Sequence, residues 1–220
     1  MDPQLNSNLE NLVLRAWSEI NGYVQTPLSR IAEALNLTKA GLYHYFKGKE
    51  ELLFFIHEHN LKKDFIPIIE DAEKISNHEE RIAHFLKNYT KRSLTKNAAA
   101  KMLIQEANKL KPEHHEKIRK VWRRAFDLIY NAISELEEAG KVKMVNKTFA
   151  TFAAIGMCSW TFYWFDYDRK ESSRELSDTY VNIFFKGLLK DSERYDLEGP
   201  QKGDSSEMDR PFGKQTVKTS

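Results

Sequence analysis

From Leu9 to Leu189 apolar residues recur every three or four positions, and glycine or proline rarely interrupts them. That period belongs to the α-helix; a half-buried strand would alternate every second residue. No stretch between turn signals sustains such alternation, so the expected fold is all-α. The spacing predicts helices over about 9–20, 27–35, 38–45, 49–74, 78–95, 98–109, 112–139, 147–167 and 173–190. Asn21-Gly22, Asn77, Pro112, Gly140 and the segment 169–173 punctuate them. Past Asp191 the stripe stops, and Gly199-Pro200, Gly203, Pro211 and Gly213 sit among few apolar groups. Residues 191–220 are therefore expected to be a disordered tail.

With 41% apolar and 30% charged residues, the composition is that of a globular chain and excludes a collagen-like or mainly disordered one. The formal charge is only +2, so any binding of nucleic acid must come from basic groups placed locally. Cys158 is the sole cysteine, which precludes an internal disulfide. The N-terminus lacks a basic region followed by an apolar core. Both features lead to an expectation of a cytoplasmic protein. Phe149–Phe165 carries no charge. It is shorter than the roughly 20 apolar residues of a membrane span, and threonine and serine dilute it. It reads as a helix buried on several sides.

Residues 28–47, LSRIAEALNLTKAGLYHYFK, have the spacing of a helix-turn-helix. Ala32 supplies the small residue that lets two steeply crossing helices approach. Asn36, four positions on, is one of the few types besides glycine that adopt positive φ cheaply. Ile31, Leu35, Leu37 and Leu42 fall on inward sides, and Thr38 stands where it can cap the second helix. The outward face of that helix is Thr38, Lys39, Ala40, Gly41 and His44. Its small residues let the backbone approach base edges, Lys39 offers a donor to guanine, and Thr38 can reach phosphate or base.

Over Gly22–Leu53, GYVQTPLSRIAEALNLTKAGLYHYFKGKEELL, the chain resembles the DNA-binding region of the tetracycline-repressor (TetR) family of bacterial transcription regulators. The resemblance rests on Gly22-Tyr23, Thr26, Ile31-Ala32, Leu42-Tyr43-x-Tyr45-Phe46 and Lys49-Glu50-x-Leu52. It departs from that pattern at Asn36, where glycine is usual, at Gly48, where serine is usual, and in a first helix one residue shorter. It implies that Thr38, Lys39, Ala40 and Gly41 face the major groove. By the same resemblance Tyr43 and His44 contact the sugar–phosphate backbone, and Lys49 and Thr26 grip phosphates. Tyr45 and Phe46 would lock the recognition helix against the next one. It also implies a TetR-like architecture of about nine helices, with a helix-turn-helix domain over 1–48 and a ligand-binding and dimerisation bundle over 49–190.

Charge within residues 1–50 sums to zero, so a single module can neutralise few phosphates and a homodimer is required to read a palindromic operator. The apolar surround of residues 149–165 and the wide stripe of the last helix point to the dimer contact. Gly156, Trp160, Trp164, Tyr180, Phe184, Gly187 and Leu188 are its candidates. Phe85, Tyr89, Met102, Trp122, Phe126, Ile129, Phe152 and Ile155 are candidates to line an apolar effector pocket. From Lys109 to Arg124 seven basic residues outnumber two acidic ones. Such a run is either a solvated face or a means of steering an anionic ligand, and this region resembles family members that answer to acyl-CoA compounds.

Little supports an enzyme. His57-Glu58-His59 lacks the four-residue spacing of a zinc helix, and no glycine-rich phosphate loop or nucleophile setting is visible. No metal or cofactor is expected. The reading is a ligand-responsive repressor released from DNA by a small apolar or acyl-CoA-type effector. A ligand-independent DNA-binding or architectural protein, or a helical enzyme or scaffold with a vestigial DNA module, are the alternatives.

Overall fold

The computed structural model describes Val13 and residues 26–34, 36–94, 106–143, 145–164 and 173–190. The expected helices over 9–20 and 98–109 fall almost wholly outside these, as does the tail 191–220. Among the described residues the elements are helical. They are α1 (Leu28–Ala34), α2 (Lys39–Tyr45), α3 (Lys49–Asn60), α4 (Ile66–Glu73), α5 (His78–Ser93), α6 (Pro112–Glu138), α7 (Lys147–Trp164) and α8 (Ser173–Leu188).

Where α1 ends, Asn36 adopts φ +53. Its N–H donates to Glu33 O at 3.0 Å, and the Leu37 N–H reaches back to Ala32 O at 2.8 Å. Together these two bonds form the Schellman pattern, which satisfies carbonyls a helix end otherwise leaves open. Gly140, at φ +70, ends α6 in the same way, with bonds from Gly140 N–H to Glu137 O and from Lys141 N–H to Leu136 O. At the start of α1 the Pro27 carbonyl accepts from the Arg30 and Ile31 N–H groups, at 3.1 and 3.4 Å.

The expected single helix over 49–74 is one rod with a fault in it. Between α3 and α4, Leu61–Phe65 winds as a π-helix, and the Ile66 N–H bonds to Leu61 O. Pro67 is the cause: it has no N–H to give and its ring crowds the preceding turn. Widening that turn absorbs both problems and re-aims the rod.

α5 is the centre of the bundle and packs against α4, α6, α7 and α8. Its buried stripe of Ile82, Phe85, Leu86 and Tyr89 meets Ala125, Ile129 and Ile133 of α6, and Ala154 and Cys158 of α7, in one continuous core. Polar stitches fix the register of α5 on α7: Tyr89 Oη lies 2.7 Å from Ser159 Oγ, and Thr90 Oγ1 donates to Cys158 Sγ at 3.3 Å. The loop after α6 is tied to the end of α8, where Lys143 N–H bonds to Leu188 O at 2.7 Å and Lys190 N–H to Lys141 O at 3.0 Å.

If positive φ is what position 36 demands, Asn36→Gly should change stability by no more than a few tenths of a kcal/mol, whereas Asn36→Val should cost about 1–2 kcal/mol. Urea denaturation of the two variants measures the contrast.

Candidate nucleic-acid interface

Ile31 and Ala32 of α1, Leu42 of α2 and Phe46 are buried together with Leu52 and Leu53 of α3. This small core sets the crossing of α1 and α2. Thr38 caps α2, its Oγ1 accepting from the Gly41 N–H at 3.0 Å. A Cβ added at Gly41 would stand 3.2 Å from that same oxygen, so the cap and the glycine go together. Thr38, Lys39, Ala40, Tyr43 and His44 are exposed and Gly41 half-buried, giving α2 an accessible outward face.

Several expected placements change. Thr26, expected at a phosphate, has no exposed surface at the start of α1 in the free chain. Leu37 is 36% exposed rather than inward, because the αL turn at Asn36 swings it out. Phe46 does lock α2, with its ring 5.3 Å from that of Phe55 on α3. Tyr45 instead is exposed and lies edge-on to His44, at 5.3 Å between centroids.

The start of α3 is fastened to the bundle as well as to α2. Gly48 offers no side-chain cap, and Glu51 compensates by accepting from the Lys47 N–H at 2.5 Å. Glu50 accepts from the Lys111 N–H and lies 2.8 Å from His114 Nδ1, both at its Oε1. His114 in turn stacks on Phe54 at 3.8 Å with the rings nearly parallel. Partial burial pushes the Glu50 carboxyl up, but the Lys111 N–H, the His114 hydrogen bond and the electrostatic pull of His114 and Lys111 outweigh it and hold it below its ordinary value. Beside it Lys49 is half-buried; desolvation lowers its ammonium, with Glu106 pulling the other way. The residue expected to hold a phosphate is thus adjacent to a clasp between α3 and the start of α6.

One and two turns along α3 from Phe54 comes a group that sequence reasoning missed. His57 and Asn60 are buried, at 5% and 2% exposure. Arg92 of α5 donates through Nη2 to Asn60 Oδ1 at 2.5 Å and lies over the Phe65 ring. Burial, reinforced by the charges of Arg92 and His115, lowers His57 to a pKa of about 4. The available signal was two polar residues on the apolar stripe of Leu53, Ile56 and Leu61.

The eight pocket candidates do not surround one cavity. Phe85, Tyr89 and Trp122 converge with Phe65, whose ring lies 5.0 Å from Tyr89 and 4.6 Å from Trp122. Phe85, Tyr89 and Ile129 are fully buried, while Ile155 is half-buried. Phe126 pairs with Phe152 at 5.1 Å, and Phe152 is 59% exposed on the outer side of α7. Met102 lies outside the described residues. The basic run divides in several directions. Lys111 and Lys117 serve the clasp, Arg119 pairs with Glu116, and Arg124 binds Glu73 through two hydrogen bonds. Lys120 and Arg123, with Arg81, edge an open basin of about 430 Å3 that also contains Glu73 and Asp127.

The dimer candidates also separate. Gly156, Trp160 and Gly187 are exposed, and with them Phe149, Phe152 and Ile183. Phe184 and Leu188 are buried within their own chain, since the side of α8 that carries them packs on α5, and Tyr180 is half-buried with its hydroxyl 3.1 Å from Thr161 Oγ1. The Trp164 side chain lies outside what is described.

Among the described residues, no helix is long and apolar enough to cross a membrane, and no three His, Cys, Asp or Glu residues group as a metal site would need.

An accessible recognition helix on a helix-turn-helix, joined by a shared rod to a larger helical bundle, defines a class: a regulatory protein with a DNA-binding head. Residues 19–55 match the model for bacterial regulatory proteins of the tetR family, and residues 76–188 match that for the tetracyclin repressor-like C-terminal domain. The chain belongs to the TetR family. It is similar in structure to the TetR family transcriptional regulator PfmR from Thermus thermophilus, with 25% identity, a TM-score of 0.72, and coverage of 84% of this chain and 98% of that one. AibR, in complex with isovaleryl coenzyme A and operator DNA, shares the fold at 24% identity and TM-score 0.72, over 81% of this chain and 97% of its own. FadR from Bacillus subtilis, in complex with stearoyl-CoA, does so at 19% identity and TM-score 0.65, over 84% and 97%. No curated protein matches the chain in sequence.

The neutral state of His57 has a consequence for stability. The unfolded chain takes up a proton near the ordinary value of 6.5, whereas the folded chain resists until about 4, so stability falls as pH drops through that window. The contribution is up to about 3 kcal/mol. His57→Gln should flatten this part of the profile, which thermal melts at pH 7 and pH 4.5 would detect as a smaller drop than in the wild type.

Proposed function

We propose that the chain is a homodimeric transcriptional repressor that reads a palindromic operator and is released by a small apolar or acyl-CoA-type effector bound in its C-terminal bundle. The observation that carries this reading is the outward face of α2. Thr38, Lys39, Ala40, Gly41 and His44 stand on a helix whose opposite side is anchored through Leu42 and Phe46. A short helix with small residues and one lysine fits a major groove, and its rigid backing supplies orientation. Tyr43 and His44 flank it as backbone contacts, and Lys49 adds a phosphate contact from the start of α3.

The weakness of one head's charge requires two heads, set about 34 Å apart to enter successive major grooves. Large apolar side chains left in the open support the pairing: Phe149 is 72% exposed, Trp160 63%, Phe152 59% and Ile183 57%. A patch of that kind on a globular chain marks an interaction surface. Effector control is supported by the family relatives solved with coenzyme A thioesters, and by the clasp that joins α3 to α6. A ligand that displaces the start of α6 changes the pose of α3, and with it the distance between the recognition helices.

On titration with operator and random DNA at several salt concentrations, Lys49→Ala should weaken binding to both alike and lower the salt slope by about one. Lys39→Ala should cost about 1–3 kcal/mol on the operator and little on random DNA. Equal losses for Lys39→Ala on the two DNAs would show that it reads no base. Absence of binding to any inverted repeat would overturn the function itself.

The dimer surface separates from the core by a pair of substitutions. Trp160→Glu should yield a folded monomer with poor DNA binding, because the side chain is already in water. Phe184→Glu should unfold the chain, because that ring is buried. Sedimentation velocity with circular dichroism distinguishes the two outcomes.

A further inference from the structure

We propose that the buried polar cluster of His57, Asn60 and Arg92, between α3 and α5, recognises the anionic head group of an otherwise apolar small molecule. The proposal rests on the effector-controlled reading above and names the chemistry of its ligand.

His57 is 5% exposed, and its Nδ1 is buried without a hydrogen-bond partner. Buried polar atoms are nearly always satisfied, so an orphaned ring nitrogen in the interior marks a place where a further group belongs. Basic side chains act on it from two other helices. Arg92 comes from α5 and His115 from the first turn of α6, and both oppose placing a proton on His57. Asn60 couples the cluster to the π-helical segment, accepting from Arg92 Nη2 at 2.5 Å and donating through Nδ2 to Asp64 Oδ2 at 3.4 Å.

A guanidinium held by Asn60, near a buried imidazole nitrogen that lacks a partner, suits an anion. The guanidinium presents a fork of donors, and His57 Nδ1 becomes a further donor when the imidazole takes that tautomer or its second proton. Away from solvent these charge-assisted bonds are the strong ones. Next to the charges stand the rings of Phe65, Tyr89 and Trp122, with Phe65 touching both sides: Arg92 lies 5.3 Å above it, and the Trp122 ring is 4.6 Å away. A ligand with an anionic end and an apolar body matches that sequence of surfaces. Burial is the main cause of the neutral state of His57, and Arg92 and His115 add to it. An anion at this position offsets those two contributions and so favours proton uptake. Arg92 and His115 act on His57 directly, and Asp64 acts on Arg92.

Isothermal titration of the full chain with decanoate, decan-1-ol and inorganic phosphate tests the proposal. The wild type should bind decanoate about tenfold or more tighter than decan-1-ol, and heats measured in buffers of different ionisation enthalpy should show proton uptake. Arg92→Gln should bring the two ligands level, Arg92→Lys should keep the preference, and His57→Gln should abolish the uptake while circular dichroism stays native. If Arg92→Gln does not fold, Arg92→Lys and His57→Gln carry the test. Equal binding of the acid and the alcohol by the wild type, a preference that survives Arg92→Gln, or no decanoate heat at millimolar concentration would overturn it. Phosphate that displaces decanoate at equal concentration would overturn its apolar half. The same additions to an operator complex separate the two readings. Decanoate that binds through Arg92 without releasing DNA refutes effector control alone, and release that persists in Arg92→Gln refutes this site alone.

Discussion

The rod from Lys49 to Glu73 is shared by both halves of the molecule, and its burial on two sides holds the halves together. Near its start, Leu52 and Leu53 belong to the small core beneath the recognition helix, and Phe55 meets Phe46. Further along, Phe65 and Ile69 enter the core of the bundle. A helix buried at both ends in different modules cannot tilt in one without strain in the other, because packed interiors resist small deformations. The π-helical turn before Pro67 lies between these two anchorages. It is the place where the rod can change its bend without giving up either set of contacts.

Much of this was legible in the sequence because it depends on short-range rules. Helix positions followed from apolar spacing, the left-handed turn from an asparagine four residues past Ala32, and the cap on α2 from a threonine just before it. The family was legible from Gly22–Leu53, and the matches over 19–55 and 76–188 agree with it. What was not legible depended on which neighbour each face would find. Tyr45 and Phe46 are adjacent, yet one is 47% exposed and the other 4%, a difference set by where Phe55 lies across the gap. In α8 both Ile183 and Phe184 are apolar. Only the packing of α5 decides that Phe184 turns inward and leaves Ile183 at the surface. The polar cluster escaped notice for the same reason: His57 and Asn60 lie on α3, while Arg92, with which they pack, is more than thirty residues away in the chain.

The basic run of residues 109–124 shows how a charge count misleads. Read as a sum it looks like an electrostatic funnel. In the structure Arg124 is held by Glu73 and Lys111 by Glu50, which ties α6 to the rod, while Arg119 pairs with Glu116 within α6 itself. Exposed pairs of this sort contribute little to stability individually. Their geometry nonetheless sets where the first turns of α6 sit, and those turns carry His114 and His115 toward α3.

Glu50, Phe54 and His57 fall at intervals of four and three residues, so they form a single stripe along α3 about 10 Å long. At one end of the stripe Glu50 grips the start of α6 beside Lys49; at the other, His57 lies within the electrostatic reach of His115 from that same start. A ligand that draws Arg92, His57 and His115 together would pull the first turn of α6 relative to α3. That displacement acts directly on the Glu50–His114 contact, the next link in the stripe. Family-scale allostery needs only about 1–3 kcal/mol of coupling. A single hydrogen bond to a charged group is worth about 1.5–3 kcal/mol, so the loss or realignment of one such bond in the clasp is sufficient. No long-range wire is required, because Lys49, Glu50, Phe54 and His57 lie on successive turns of one helix.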